Sequence, residues 1–193
     1  MANVQHSALT DPNIHEPKGI AAAASGKVYV SNGSGSGSWQ TQPGHAYGEI
    51  YISGNSTAFT LAAASAASRL NPTGAWITNG YQNITPSPST GQFTIVSGGE
   101  YQLNFWATFE TAAIASSALY NFYYAVNGTP SSRKSYIKKI SNGVDVLHIS
   151  AVGFASLNAT DTISMFVSGD GTSSGSNIVV TEAGFSCLLV DPV

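Results

Sequence analysis

The chain has 193 residues, of which only 9% are charged and 42% are hydrophobic, with a formal net charge of −3. That apolar content can offset the ordering entropy of a packed core, which excludes a disordered chain, and the length suits one domain of roughly 150 residues plus an extension. The weak negative balance leaves no electrostatic footprint for nucleic acid or an anionic membrane, and the single cysteine, Cys187, excludes an intrachain disulfide framework.

The first residues, MANVQHSALT, carry neither the basic region nor the apolar stretch of a secretory leader. No apolar run reaches the ~20 residues of a membrane-spanning helix, so no membrane insertion is expected. Five N-x-S/T sequons, at Asn32, Asn55, Asn83, Asn127 and Asn158, are then a by-product of an Asn/Ser/Thr-rich composition. Residues 15–39 read HEPKGIAAAASGKVYVSNGSGSGSW. Pro17 restricts Glu16 to extended backbone, KVYV offers one strand, SNGSGSGS gives slack, and Trp39 closes the segment. The predicted organisation is an extended segment and linker over residues 1–45 and a folded domain over residues 46–193.

In the domain, YGEIYIS is a first strand and TAFTL a second, with an irregular crossing or helical turn over Leu61–Ser68. From Gln92 a period of two takes over, the mark of a half-buried strand. Phe93 and Ile95 share a face, as do Tyr101, Leu103, Phe105, Ala107 and Phe109, and then Tyr120, Phe122, Tyr124 and Val126. The runs DVLHISAVGFASL, TDTISMFVS and GFSCLLV continue the pattern, punctuated by the turn sequences SGGE, VNGTP, SNGV and SGDGTSSGS. Many short strands without a convincing long helix predict an all-β antiparallel sandwich or jelly roll. Several strands are apolar on both faces, and apolar surface with no place inside one subunit predicts oligomerisation.

Chemistry-bearing constellations are few. His6, His15, His45 and His148 show no zinc spacing, and no Cys-x-x-Cys occurs. His148 sits mid-strand, where a hydrogen-bonded structural role is expected, and His45 beside a Pro-Gly turn. Cys187 lies in the apolar run FSCLLV, where a thiolate nucleophile is not expected. There is no G-x-S-x-G motif, and the acids are scattered singly rather than paired. No catalytic residue, metal or cofactor is therefore assigned, and a non-enzymatic protein is expected. The stretch RKSYIKK gathers Arg133, Lys134, Lys138 and Lys139, either a basic patch for anionic partners or an edge strand protected by lysines. Trp76 and Tyr81, in TGAWITNGY, are stacking candidates for a sugar.

The order of motifs in the second part resembles the C1q/TNF-like family. STGQFTIVSGGEYQLNF is similar to its Thr-Gly-x-Phe-Thr strand, Gly turn and Tyr-x-Leu/Phe-x-Phe strand, and YYAVNGTPSSRKSY to its apolar strand ending in an Asn-Gly turn. SLNATDTISMFV resembles the acidic turn and alternating strand that follow, with Asp161 at the acidic position. AGFSCLLV resembles the terminal strand, with Cys187 where that family has glycine. The resemblance spans Gly48 to Val190 and implies a ten-stranded jelly roll assembling as a homotrimer. It also implies aromatic faces meeting at the threefold axis, with Tyr101, Phe105, Tyr120, Phe122, Tyr124, Phe185 and Leu189 as trimer-interface or core candidates.

HSALTDPNIHEPKGIAAAASGKVYVSNGSGSGSW resembles the N-terminal region of tailed-bacteriophage fibre and head-decoration proteins. That resemblance implies a virion-docking segment carried by His6, Leu9, His15, Glu16, Pro17, Lys18, Gly19 and Trp39. Its partners would be other structural proteins of the capsid, neck or tail. The expected protein is thus a trimeric virion component, made in the host cytoplasm and placed on the particle surface. The alternative is an adhesin that recognises host-surface glycans.

Overall fold

A computed structural model describes residues 24–25, 27–31, 34, 37–41, 44–61, 66–72, 74–112, 118–140, 142–170 and 177–192. The chain divides between Gly44 and His45 into two compact units. In the first, β1 (Lys27–Ser31) and β2 (Gly37–Thr41) form an antiparallel hairpin in the register Tyr29↔Trp39. Gly37 is required at its end, because a Cβ there would sit 2.3 Å from the Val30 carbonyl oxygen.

The second unit is a two-layered antiparallel sandwich. Its strands are β3 (Tyr47–Ile52), β4 (Phe59–Thr60), β5 (Ser68–Arg69), β6 (Ile77–Gln82), β7 (Ile84–Ser87), β8 (Gln92–Ile95), β9 (Gly99–Thr111), β10 (Ala118–Val126), β11 (Thr129–Lys139), β12 (Val146–Leu157), β13 (Thr162–Ser168) and β14 (Asn177–Pro192). One sheet runs β12-β9-β14-β3-β6 and the other β11-β10-β13-β8-β7, with β4 and β5 as short additions to β14 and β13. This ten-stranded order is the expected antiparallel jelly roll, with the C-terminal β14 between β9 and β3. A single 3-10 turn at Pro88–Thr90 is the only helical element among the described residues of this unit. The crossing expected over Leu61–Ser68 falls partly at residues 62–65, outside the described residues.

The alternating sequences become elements because each has one face to bury. Along β9 every second residue from Tyr101 to Phe109 is buried, while Gln102, Asn104 and Trp106 face outward. Between the sheets the rings interdigitate: Phe105 stacks on Phe122 at 5.5 Å, Phe109 meets Tyr120 edge-on at 5.4 Å, and Phe93 lies 5.1 Å from Phe185. Burying each ring contributes about 1.5–3 kcal/mol, and the paired geometry adds to it. These contacts decide between two expectations. Tyr101, Phe105, Tyr120, Phe122 and Phe185 are each at most 1% exposed within one chain, so they form the core and leave nothing for a subunit interface. Tyr124 and Leu189 are half-buried and pack against that core.

The turns carry the chemistry that the turn sequences imply. Asn127 and Gly128, between β10 and β11, both have positive φ, 50° and 77°, as a two-residue hairpin turn demands. Gly91 ends the 3-10 turn at φ 62°, and a Cβ there would come within 2.7 Å of the Trp76 indole nitrogen.

Candidate functional site

Both outer faces of the sandwich carry apolar side chains. On the sheet β11-β10-β13-β8-β7 the register places Leu119, Tyr123, Tyr136 and Phe166 among Gln92, Thr94, Asn121, Lys134, Lys138, Ser164 and Ser168; Tyr136 is exposed there, whereas Asn121, Ser164 and Ser168 are buried. On the sheet β12-β9-β14-β3-β6, Tyr47, Ile77, Trp106, Val146, Val152, Phe154 and Leu188 are all exposed. Register orders these side chains into rows. One row runs Ser150–Trp106–Gly184–Tyr51–Ile77, and a second runs Phe154–Gln102–Leu188–Tyr47–Gln82.

Between them lies a polar row, Val152–Asn104–Ser186–Glu49. There the Asn79 amide donates to Glu49 Oε2 at 2.5 Å and the Asn104 amide to Ser186 Oγ at 3.5 Å. Gly184 makes room for the Trp106 indole, since a Cβ there would lie 2.3 Å from its nitrogen. The result is an apolar face with a polar seam. An outward sheet face of this kind, exposed in a single chain, suits a subunit contact.

The basic strand is only partly as expected. Lys134 and Lys138 point outward from β11 and Arg133 is exposed. Lys139 is corrected: it is 0% exposed, 3.7 Å from Asp145, and donates to the Gly143 carbonyl. The strand period puts Lys138 and Lys139 on opposite faces, so they never formed one patch. Trp76 is corrected as well. It is 4% exposed, its indole donating to the Leu70 carbonyl at 3.0 Å, and no sugar reaches it. Tyr81 is exposed, but on β6, the edge of its sheet opposite to β12. Tyr81 and the basic side chains of β11 therefore do not share a surface.

The remaining sequence candidates have quieter roles. Cys187 is buried, and burial pushes its thiol up to about 12, far from a thiolate at neutral pH. His148 is exposed on β12, with Nδ1 3.1 Å from Thr108 Oγ1 on the neighbouring strand. His45 is exposed, and its carbonyl accepts from the Asn83 amide at 3.0 Å. Asp161 is more than an acidic turn residue. Its carboxylate accepts from Asn127 Nδ2 at 2.7 Å and from the Asn158 backbone at 2.8 Å, while Asn127 Oδ1 accepts from the Thr162 backbone at 2.9 Å. That network ties the β10–β11 turn to the loop before β13, and only its acidic position was visible in the sequence. Among the described residues no group of three or more His, Cys, Asp or Glu is disposed to hold a metal. Among them, too, no helix is long and apolar enough to cross a membrane.

Of the docking candidates, His6, Leu9, His15, Glu16, Pro17, Lys18 and Gly19 lie outside the described residues. Trp39 is described, and its setting differs from the expectation of an anchor held beyond a slack tract. It is part of β2, opposite Tyr29, with the two rings edge-to-face at 5.3 Å.

No family model matches the chain, and no curated protein does. Solved structures with a similar fold include Eiger TNF from S. frugiperda, 8% identical, covering 77% of this chain and 95% of that one at a TM-score of 0.49. The globular domain of the zebrafish complement 1qA protein is another, 12% identical, covering 77% of this chain and 99% of that one at 0.45. The jelly-roll assignment itself rests on the strand order described above.

Proposed function

We propose that the chain is a structural component of a bacteriophage virion. In this reading it is a homotrimer whose jelly-roll knobs meet through the outer face of β12-β9-β14-β3-β6. Its N-terminal unit attaches the trimer to other proteins of the capsid, neck or tail. The observation that carries the assembly is this outer face itself, which exposes Trp106, Val152, Phe154, Leu188, Tyr47 and Ile77 in adjacent rows. Large apolar side chains gathered on one exposed sheet face mark an interaction surface. The attachment rests on the resemblance of the N-terminal segment to phage fibre and decoration proteins. The β1–β2 hairpin supports it, because an isolated two-stranded ribbon is at best marginally stable and its outer edges can accept a partner strand.

A second reading adds host recognition. Arg133 and Lys134 are exposed on the edge strand β11 together with Lys138, and a trimer would repeat this group three times around a knob facing the host. Anionic groups of surface glycans or lipopolysaccharide match that charge.

Sedimentation of the full chain and of residues 45–193 tests the assembly, and both should have the mass of three chains. Trp106→Glu combined with Phe154→Glu should give a folded monomer, and an unchanged mass would rule out this face. Deletion of residues 1–44 should leave the trimer intact and absent from purified particles. A truncated trimer that still incorporates would refute the docking role.

A further inference from the structure

The sandwich is open on the side where β11 and β12 form the edges of their sheets. A cavity of about 200 Å³ lies there, reaching inward to Leu103, Phe122 and Met165 and walled by Ala151, Gly153 and Ala155 of β12. Its interior has little to offer a polar ligand. The Tyr124 hydroxyl lies 2.9 Å from the Leu103 carbonyl and 2.7 Å from that of Ala151, donating to this pair of oxygens. Gly153 admits the Tyr124 ring into the wall, since a Cβ there would approach it to 3.1 Å.

The mouth is different. Arg133 lines the cavity, Lys134 lies at its rim with its side chain on the outer face opposite Tyr123, and among the described residues no acidic one lines it. Consecutive residues of a regular strand point to opposite faces, so with Lys134 outward Arg133 is the cation on the cavity side. The β10–β11 ladder is shifted between Tyr123 and Ala125, opposite residues 130–134. In that bulge Ser131 Oγ accepts from the Arg133 amide at 2.9 Å and donates to the Arg133 carbonyl at 3.0 Å. Bulges on edge strands re-aim side chains, and are over-represented next to binding sites.

We infer that this cavity binds a small amphipathic anion, its apolar part seated between the sheets and its charged head held by Arg133. The volume is somewhat larger than a cavity of about 150 Å³ that accommodates benzene, which fits a ring or chain of about six to eight carbons. A carboxylate and a phosphate monoester both satisfy Arg133, which can hold either through two parallel hydrogen bonds. The inference is independent of the virion assignment.

The probes are octanoate, octyl phosphate, octanol and octylammonium, titrated into the full chain and followed by calorimetry and by amide shifts of Gly153 and Arg133. At least one anion should bind saturably and about tenfold more tightly than octanol, as expected for charge-assisted contacts, and octylammonium should bind least. Whichever anion binds more tightly identifies the head group. Arg133→Gln should reduce anion affinity to that of octanol, and Lys134→Gln should lower it less. Ala155→Leu, or Ala151→Leu where the first lowers the melting temperature, should abolish binding of all four probes without changing the sedimentation mass. No saturable binding, equal affinity for anion and alcohol, or affinity indifferent to both sets of substitutions would overturn the inference.

Discussion

At Asp161, the bonds from the Asn158 backbone and the Asn127 side chain hold the carboxyl pKa below its ordinary 3.8. A carboxylate depressed in the folded state contributes stability above its unfolded pKa, and that contribution fades as pH falls through the folded value. Stability should therefore decline below about pH 4 in wild type. Asp161→Asn should lower stability at neutral pH by about 1 kcal/mol, the site being largely solvated, and should flatten that acid decline; urea melts across pH measure both. Lys139 is the opposite case, a buried cation beside Asp145, which is only 18% exposed. Lys139→Ala should cost about 3 kcal/mol by leaving that acid uncompensated, visible as a lower urea midpoint with an unchanged slope. The strand period alone puts Lys139 and Lys138 on opposite faces, so their separation was legible in the sequence although the expected basic patch joined them; which of the two is buried was not. Trp76 was not, because the run around it has no alternation and its cover comes from Leu70 and Gly91, remote from any pattern.

The elements divide by the same criterion. The strands β8, β9, β10, β12 and β13 were readable because each buries one face and alternates with period two. The strand expected over TAFTL shrinks to the two residues of β4, the two-residue β5 carries no signal at all, and β6 lies at an edge with nearly every side chain in water. The hairpin strand β2 was hidden by its composition: a Gly/Ser tract reads as slack until Trp39 finds Tyr29 across the turn. Within the readable strands, energetic weight follows the interdigitated rings. Phe105→Ala should cost about 3–5 kcal/mol, since the ring is 1% exposed and stacks on Phe122 from the other sheet. A loss of under 1 kcal/mol in equilibrium unfolding would mean that the two sheets do not lock through this contact.

For the molecule as a whole, alternation announces two faces and does not say what covers each. The aromatic residues expected at a subunit boundary or in the core turned out to be spent on the interior, while Trp106, Phe154 and Leu188, none of them among the interface candidates read from the sequence, form the exposed rows. The placement of β14 bears on biogenesis. This strand separates β9 from β3, pairing with β9 along most of its length and with β3 over Ala183–Leu188. Until Asn177–Pro192 has left the ribosome, the β3–β6 and β9–β12 ribbons have no partner in common, and two backbone edges that the finished sheet hides, those of β3 and β9, are open to other nascent chains. Non-local pairing of this kind is slow and exposed to aggregation. Closure of the sheet thus waits on the last stretch of this domain to be made.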